Sequence, residues 1–268
     1  MRKPMMAGNW KMYKNRDEAR ALAQEIVALV GAEEAVDIVL CAPFVDLCAV
    51  AKMTDGSKVS AGAQDVMWID EGAYTGEVST PMLVAVGCKY VIVGHSERRG
   101  RFGVWPKDWP EELHAVFMDN DVSVNWKARA ALAGGLTPII CCGETIDERH
   151  AGTTDTIVRG QILAAMAEMT EEQIGACVFA YEPVWAIGTG EVCEADEANR
   201  VCGMIRGVLA ERVCCGAQNI RILYGGSMKP DNVDGLMVQP EIDGGLVGGA
   251  ALKADSFACL VTAAAKTA

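Results

Sequence analysis

Apolar residues recur along this chain in two alternating patterns. Short runs rich in Val, Ile, Ala and Cys occupy residues 5–10, 36–41, 58–63, 90–93, 137–142, 176–181, 220–224 and 244–247. Their length and composition predict buried β-strands. Between them lie longer segments with apolar residues at helical spacing. In residues 15–30 the stripe is Leu22, Ala23, Ile26, Val27 and Val30, and Asn15 with Glu18 fits a capping box. Further helices are predicted over 122–133, 155–169, 194–212 and 255–265, with shorter ones over 45–53, 82–86 and 230–237. Each of the eight strands is followed by a helix or a helical fragment. Such alternation implies a parallel sheet, and eight units within 268 residues favour a closed (β/α)8 barrel over an open sheet. No linker or low-complexity segment interrupts it, so residues 1–268 are expected to form one domain.

Three stretches depart from this rhythm. Residues 64–81 form a long connection rich in Gly, Asp and Glu, of the kind that is usually functional or meets a partner. Residues 100–120 hold two Trp-Pro-type turns around Trp105 and Trp109, with one or two helical turns over 111–117. Residues 180–190, Ala-Tyr-Glu-Pro-Val-Trp-Ala-Ile-Gly-Thr-Gly, run from a strand end into a segment stiffened by Pro183 and ended by glycines. That composition fits a hinged flap with Glu182 at its root as a general base. It equally fits a solvated strand-end Glu before an ordinary Gly loop.

Composition narrows the functional classes. About half the residues are apolar (51%), enough for a large core. A formal net charge of −12 argues against nucleic acid or an anionic membrane surface as partner, since both require clustered Lys and Arg. A small anionic substrate stays compatible, because a site can be locally positive. No apolar run reaches the length of a membrane span, and no apolar stretch follows Arg2 and Lys3, so no signal peptide is expected. The eleven cysteines are odd in number and contain no Cys-x-x-Cys pair. They are expected to be reduced thiols in a cytoplasmic protein. The three histidines, His95, His114 and His150, have no neighbour at metal-ligand spacing, so no metal site is expected.

The polar residues of interest fall where strands end. Asn9 and Lys11 follow the first strand, His95 and Glu97 the fourth, and Glu182 the sixth. The i, i+2 rule of a strand places Asn9 with Lys11, and His95 with Glu97, on common faces. In a barrel these ends share one rim, where barrel enzymes perform their chemistry. Gly225-Gly226-Ser227 and Gly248-Gly249 follow the last two strands, a common place for phosphate to meet backbone N–H groups. Each residue also has a plainer reading: Lys11 as a surface lysine, Asn9 as a turn cap, His95 as a satisfied half-buried histidine, Glu97 with Arg98 as an ion pair, and each Gly-Gly as a turn. Glu144, at another strand end, reads as structural. A carboxylate base, a neutral electrophile, a fixed cation and a phosphate cradle together describe proton transfer beside a carbonyl in a phosphorylated substrate.

Ala7-Gly8-Asn9-Trp10-Lys11-Met12, Gly94-His95-Ser96-Glu97-Arg98-Arg99, Ala180–Gly190, Tyr224-Gly225-Gly226-Ser227 and Leu246-Val247-Gly248-Gly249-Ala250 occur in the order found in triosephosphate isomerases. The chain resembles that family over nearly its whole length. The resemblance implies a TIM barrel that interconverts dihydroxyacetone phosphate and D-glyceraldehyde 3-phosphate, in glycolysis and gluconeogenesis, without metal or cofactor. Glu182 would move the proton between carbons. Neutral His95 would polarise the carbonyl, as is established for that family. Lys11 would supply positive charge and Asn9 a hydrogen bond, with Glu97 supporting Lys11. Gly188, Ser227, Gly248 and Gly249 would hold the phosphate. The family is typically a homodimer. The loop over 64–81 matches its contact segment, so Gln64 and Thr75 are expected at the dimer contact, Thr75 reaching the neighbouring active site.

Three features depart from the family pattern. Ala251 stands where Ser is usual, which is expected to remove a hydroxyl near the phosphate. Glu191 stands where Lys is common. An insertion of roughly fifteen residues, Val104 to Met118, follows the fourth strand, and Trp105 and Trp109 are expected to pack it on the rim or the dimer contact. A related isomerase acting on another ketose phosphate, such as a tetrulose phosphate, and a scaffold that has lost catalysis are the competing readings.

Overall fold

Eight strands close on one another in sequence order: β1 (Met5–Asn9), β2 (Asp37–Ala42), β3 (Val59–Ala63), β4 (Cys88–Val93), β5 (Thr137–Cys142), β6 (Val178–Tyr181), β7 (Ile222–Tyr224) and β8 (Gly244–Val247). Every neighbouring pair is parallel, and β8 returns to β1 with Val247 beside Gly8. The computed structural model describes residues 2–104, 109–117 and 119–268. The expected Trp105 contact therefore lies outside the described residues.

The helices are α1 (Arg16–Val30), α2 (Leu47–Thr54), α3 (Thr80–Ala85), α4 (Asp121–Ala133), α5 (Ile146–His150), α6 (Thr154–Ala165), α7 (Glu171–Gly175), α8 (Ala195–Val213), α9 (Val233–Met237) and α10 (Ala254–Ala265). All eight expected strands are present, and the capping box at Asn15 and Glu18 forms as read. The one-turn helices α5 and α7 were not expected, because five residues are too few to show a period. Each nonetheless carries its own capping box, Thr145 with Glu148 and Thr170 with Gln173. The run over 155–169 ends at Ala165, and the strand over 176–181 begins at Val178, since α7 occupies the approach to it.

Two apolar layers follow from strand alternation. Met5, Ala7, Val39, Cys41, Ile92, Ile139, Cys141, Val178, Ala180, Leu223 and Leu246 fill the barrel interior. The intervening strand residues, such as Met6, Phe179 and Tyr181, pack outward against the helices. This phase positions the site. Continuing the inward set past the strand ends gives Asn9, Gly143, Glu182, Gly225 and Gly248. At the opposite end, buried Arg206 bonds Asp243, Glu241 and the carbonyls of Ala217 and Ile220, tying α8 to the entry of β8.

Cys41, Cys88, Cys141, Cys142, Cys177, Cys193 and Cys202 are buried and unpaired, and burial raises their thiols, Cys88 to about 12. Among the described residues no helix is long and apolar enough to cross a membrane, and no cluster of side chains is arranged to hold a metal ion.

Candidate active site

The first strand delivers Asn9 and then turns. Asn9 is buried, and its Oδ1 accepts from the N–H of Lys11 at 3.0 Å. Lys11 has left the strand and sits at φ +51°, an uncommon conformation for a residue with a Cβ. Such a backbone costs on the order of 1–3 kcal/mol and persists only where the surroundings hold it. Here the Gln64 amide donates to the Lys11 carbonyl (2.9 Å) and to that of Cys41 (3.0 Å). Asn9 and Lys11 therefore do not share a strand face, as the i, i+2 rule had placed them. A clamped left-handed turn brings them together. The same contacts occupy the Gln64 side chain within its own chain, whereas Thr75 is exposed on the long connection.

β4 ends at Val93, and the Gly94 that follows has a φ of +69°, which swings the next residue out of the strand phase. The i, i+2 reading fails for His95 and Glu97 too, because both lie in the turn. The His95 carbonyl accepts from the N–H groups of Arg98 and Arg99, and the Glu97 N–H donates to His95 Nδ1 at 3.2 Å. A ring nitrogen that accepts a backbone proton must carry a lone pair. Nε2 is then the ring nitrogen left to donate, and it faces Glu182. Arg99 pins the turn through the Gly94 carbonyl and Asp121. Glu97 Oε1 holds Lys11 Nζ at 2.6 Å, while Arg98 pairs with Asp65 at 3.0 Å. The two neighbours thus form separate bridges instead of the Glu97–Arg98 pair.

Glu182 is 1% exposed. Its Oε1 lies 2.9 Å from His95 Nε2, its Oε2 accepts the Ser96 N–H at 3.0 Å, and the Ser96 hydroxyl donates to Oε1 at 3.3 Å. Burial pushes the carboxyl pKa up, but His95, the Ser96 N–H and the charge of Lys11 outweigh it and hold the group below the usual carboxylate range. Two glycines make room for this residue, Gly143 for its backbone and Gly225 for its side chain. A Cβ at Gly143 would lie 1.7 Å from the Glu182 carbonyl oxygen, and one at Gly225 would lie 2.8 Å from Glu182 Cγ.

After Pro183 the chain makes one tight turn, Val184–Ala186, with all three side chains buried. Trp185 Nε1 donates to Glu144 Oε1 at 2.8 Å, Tyr181 OH donates to the same oxygen at 3.1 Å, and the Arg149 guanidinium lies 4.2 Å from the Trp185 ring centroid. Glu144 is structural, as read, and what it holds is the flap. Beyond it, a Cβ on Gly188 (φ +72°) or Gly190 (φ +90°) would meet nothing within 4 Å among the described residues. Stiff root, anchored indole and free glycine tail are the parts of a hinged lid.

A cavity of about 650 Å3 opens above these groups, lined among others by Asn9, Lys11, His95, Gly188, Ser227, Gly248 and Gly249. Glu182 is not on its wall, because the carboxylate is turned back onto Ser96. Ala251 is fully buried beside Gly8 and does not line the cavity. The Ser-to-Ala departure at this position therefore bears on packing, not on the cavity's hydroxyl groups. A second cavity of about 300 Å3 lies on the other side of Lys11, bounded by Met12, Phe44, Gln64, Gly76, Glu97 and Phe117. Phe117 stacks on Trp109 (5.7 Å) and meets the edge of Phe102 (5.4 Å), so the described part of the insertion packs at this rim. Ser96 and Gly143 were not singled out from the sequence, and Gly225 was read only as part of a phosphate turn, not as a neighbour of Glu182. Ser96 stood inside the quoted His95 motif, but nothing local marked it as a partner of a residue eighty-six positions away.

The triosephosphate isomerase family profile matches residues 4–264. The triosephosphate isomerase of Geotalea uraniireducens is 47% identical over 263 residues, covering 97% of this chain and 98% of that protein. That of Roseiflexus castenholzii is 48% identical over 262 residues, covering 97% of each. The crystal structure of triosephosphate isomerase from Bartonella henselae superposes with a TM-score of 0.83 at 30% identity, covering 97% of this chain and 98% of that one. On sequence and on fold, the chain belongs to the triosephosphate isomerase family.

Proposed function

We propose that this chain interconverts dihydroxyacetone phosphate and D-glyceraldehyde 3-phosphate, as a single (β/α)8 domain working as a cytoplasmic homodimer. One observation carries the reading. A buried carboxylate, an imidazole with Nε2 left to donate and a fixed ammonium group adjoin a cavity whose far side is glycine backbone.

The substrate phosphate rests on backbone N–H groups of Gly188, Gly248 and Gly249 with Ser227, which places the carbonyl toward Asn9, Lys11 and His95. Glu182 swings off Ser96 and takes a proton from the carbon beside the carbonyl. The electron pair moves onto the carbonyl oxygen, which receives a hydrogen bond from His95 Nε2–H and faces the Lys11 ammonium. His95 relays a proton between the two oxygens of the enediolate. Protonated Glu182 returns its proton to the neighbouring carbon, so atoms and charge balance and no external redox partner is needed.

Ser96 accounts for the timing of base strength. On Ser96 and His95 the carboxylate is held by three hydrogen bonds and is a weak base. Leaving them while staying buried removes those hydrogen bonds and retains the cost of burial, so basicity rises as the group meets its substrate. Lid closure excludes water, which protects the enediolate from loss of phosphate.

The homodimer reading is supported by exposed apolar residues beside the smaller cavity. Met12 is 94% exposed and Val45 82%, with Phe44 and Tyr74 also exposed. A coupled assay with glyceraldehyde 3-phosphate, run beside a four-carbon ketose phosphate, tests the function. Fast turnover of the triose alone is the expected result. Turnover of the four-carbon substrate alone, or of neither, overturns it.

A further inference from the structure

The segment leading into the insertion touches the lid from behind. A Cβ on Gly103 would lie 2.3 Å from the Ile187 carbonyl oxygen, 2.8 Å from the Val184 carbonyl oxygen and 2.9 Å from Thr189 Cγ2. Two of these three neighbours are lid backbone, which no rotamer change relieves. Gly103 is not among the glycines with positive φ, so alanine fits its own backbone there. The glycine is demanded by the lid and not by the turn that carries it.

The segment is itself braced. The Arg101 N–H donates to the Ser96 carbonyl at 2.9 Å, and its guanidinium donates to the Gly143 carbonyl (3.2 Å) and pairs with Glu148. Phe102 meets the edge of Phe117 at the far end of the insertion. Gly143 is the glycine that makes room for Glu182, and the neighbouring Glu144 holds Trp185. Residues 101–103 are therefore fastened to the turn that parks the base and to the loop that anchors the lid.

We propose that Gly103 is a positioning residue for the lid: the braced 101–103 segment is the stop on which Val184–Thr189 rests between turnovers. The inference rests on the isomerase reading and adds the surface that defines the lid's resting position. The lid settles on the stop while Trp185 reaches Glu144 and Glu182 reaches Ser96. A side chain at residue 103 lifts the lid from the stop, weakens the resting state and leaves the closed state relatively favoured.

The test compares the parent with Gly103→Ala and with Arg101→Gln, which loosens the brace without adding bulk. Each protein, labelled with fluorotryptophan, is studied by fluorine NMR at the Trp185 resonance, and its affinity for phosphoglycolate, a mimic of the enediolate, is measured. In Gly103→Ala the unliganded Trp185 resonance is expected to move toward its ligand-saturated position, with phosphoglycolate bound several-fold more tightly and KM and kcat falling together. Arg101→Gln is expected to move the resonance in the same direction by less. If both variants fold and neither moves the resonance or the affinity, the stop does not exist. If Gly103→Ala does not fold, Arg101→Gln alone decides by the same two readings. An inactive parent would instead mean that the isomerase reading had failed.

Discussion

Ser96 holds Glu182 by two contacts, its backbone N–H at 3.0 Å from Oε2 and its hydroxyl at 3.3 Å from Oε1. The residue beside the imidazole thus anchors the carboxylate with which that imidazole works. The resting site is a closed set of hydrogen bonds that substrate must open.

The acid limb of activity depends on that contact. Burial alone would raise the Glu182 pKa, but His95, Ser96 and Lys11 bring it below the usual carboxylate range. The base therefore stays ionised on acidification and is lost as pH falls through that lowered value. The stability its contacts contribute is present above the ordinary carboxylate pKa and is lost over the same descent. Ser96→Ala removes one donor, so the acid limb of kcat/KM should move to higher pH. A limb unmoved in the pH profile would show that the hydroxyl does not tune the base.

Glu182→Gln keeps the shape and an acceptor for the Ser96 N–H but cannot take a proton. Isomerase kcat should fall by roughly 10²–10⁴-fold or more, with the urea unfolding midpoint close to the parent's. Full activity in this variant would point to another base.

Glu144 is buried, and its Oε2 has no hydrogen-bond partner among the described residues. Burial raises its pKa against the opposing bonds from Trp185 and Tyr181. Glu144→Gln keeps an acceptor for both donors and removes the buried charge, so at pH 7 the variant should be at least as stable as the parent. The parent recovers stability as pH falls through the raised folded-state value, so the variant's advantage should shrink on acidification. Urea unfolding of both proteins at neutral and mildly acidic pH reads the sign directly.

Arg206 is 3% exposed and meets two carboxylates and three carbonyls at the end of the barrel away from the site. Arg206→Met removes one of the two guanidinium groups that hold buried Asp243, Arg2 being the other, and should cost about 1–3 kcal/mol of stability, with KM unchanged. An unfolding free energy equal to the parent's would mean that water replaces the guanidinium at no cost.

Thr75 is exposed beside Glu77 on the long connection. In a homodimer that uses this loop, Thr75→Glu adds like charge at the contact and should raise the dimer dissociation constant by about tenfold or more, roughly 1.4 kcal/mol. Sedimentation over a range of concentrations checks this. Equal dimerisation in parent and variant would place the contact elsewhere.

The periodicity of apolar residues was enough to specify eight strands, the longer helices and their parallel alternation, because burial of one face is a local, repeating demand on sequence. Asn9, Lys11, His95, Glu97, Glu182 and the glycine turns were legible for a related reason: they stand where that repeat stops. The one-turn helices α5 and α7 were too short to carry a period, and only their capping residues marked them. How the site residues meet was decided in three dimensions. Asn9 and Lys11 come together through a left-handed backbone clamped by Gln64, and His95 faces Glu182 because Gly94 turns it out of phase. The donor role of His95 Nε2 follows from a backbone N–H at Nδ1, and the depressed Glu182 pKa from donors on another strand end. Ala251 was expected near the phosphate by its place in a motif, and its side chain turned inward to the core. A sequence sets which groups reach the rim, since each strand carries its own inward phase. Closure of the barrel sets their distances, and proton affinities depend on those distances.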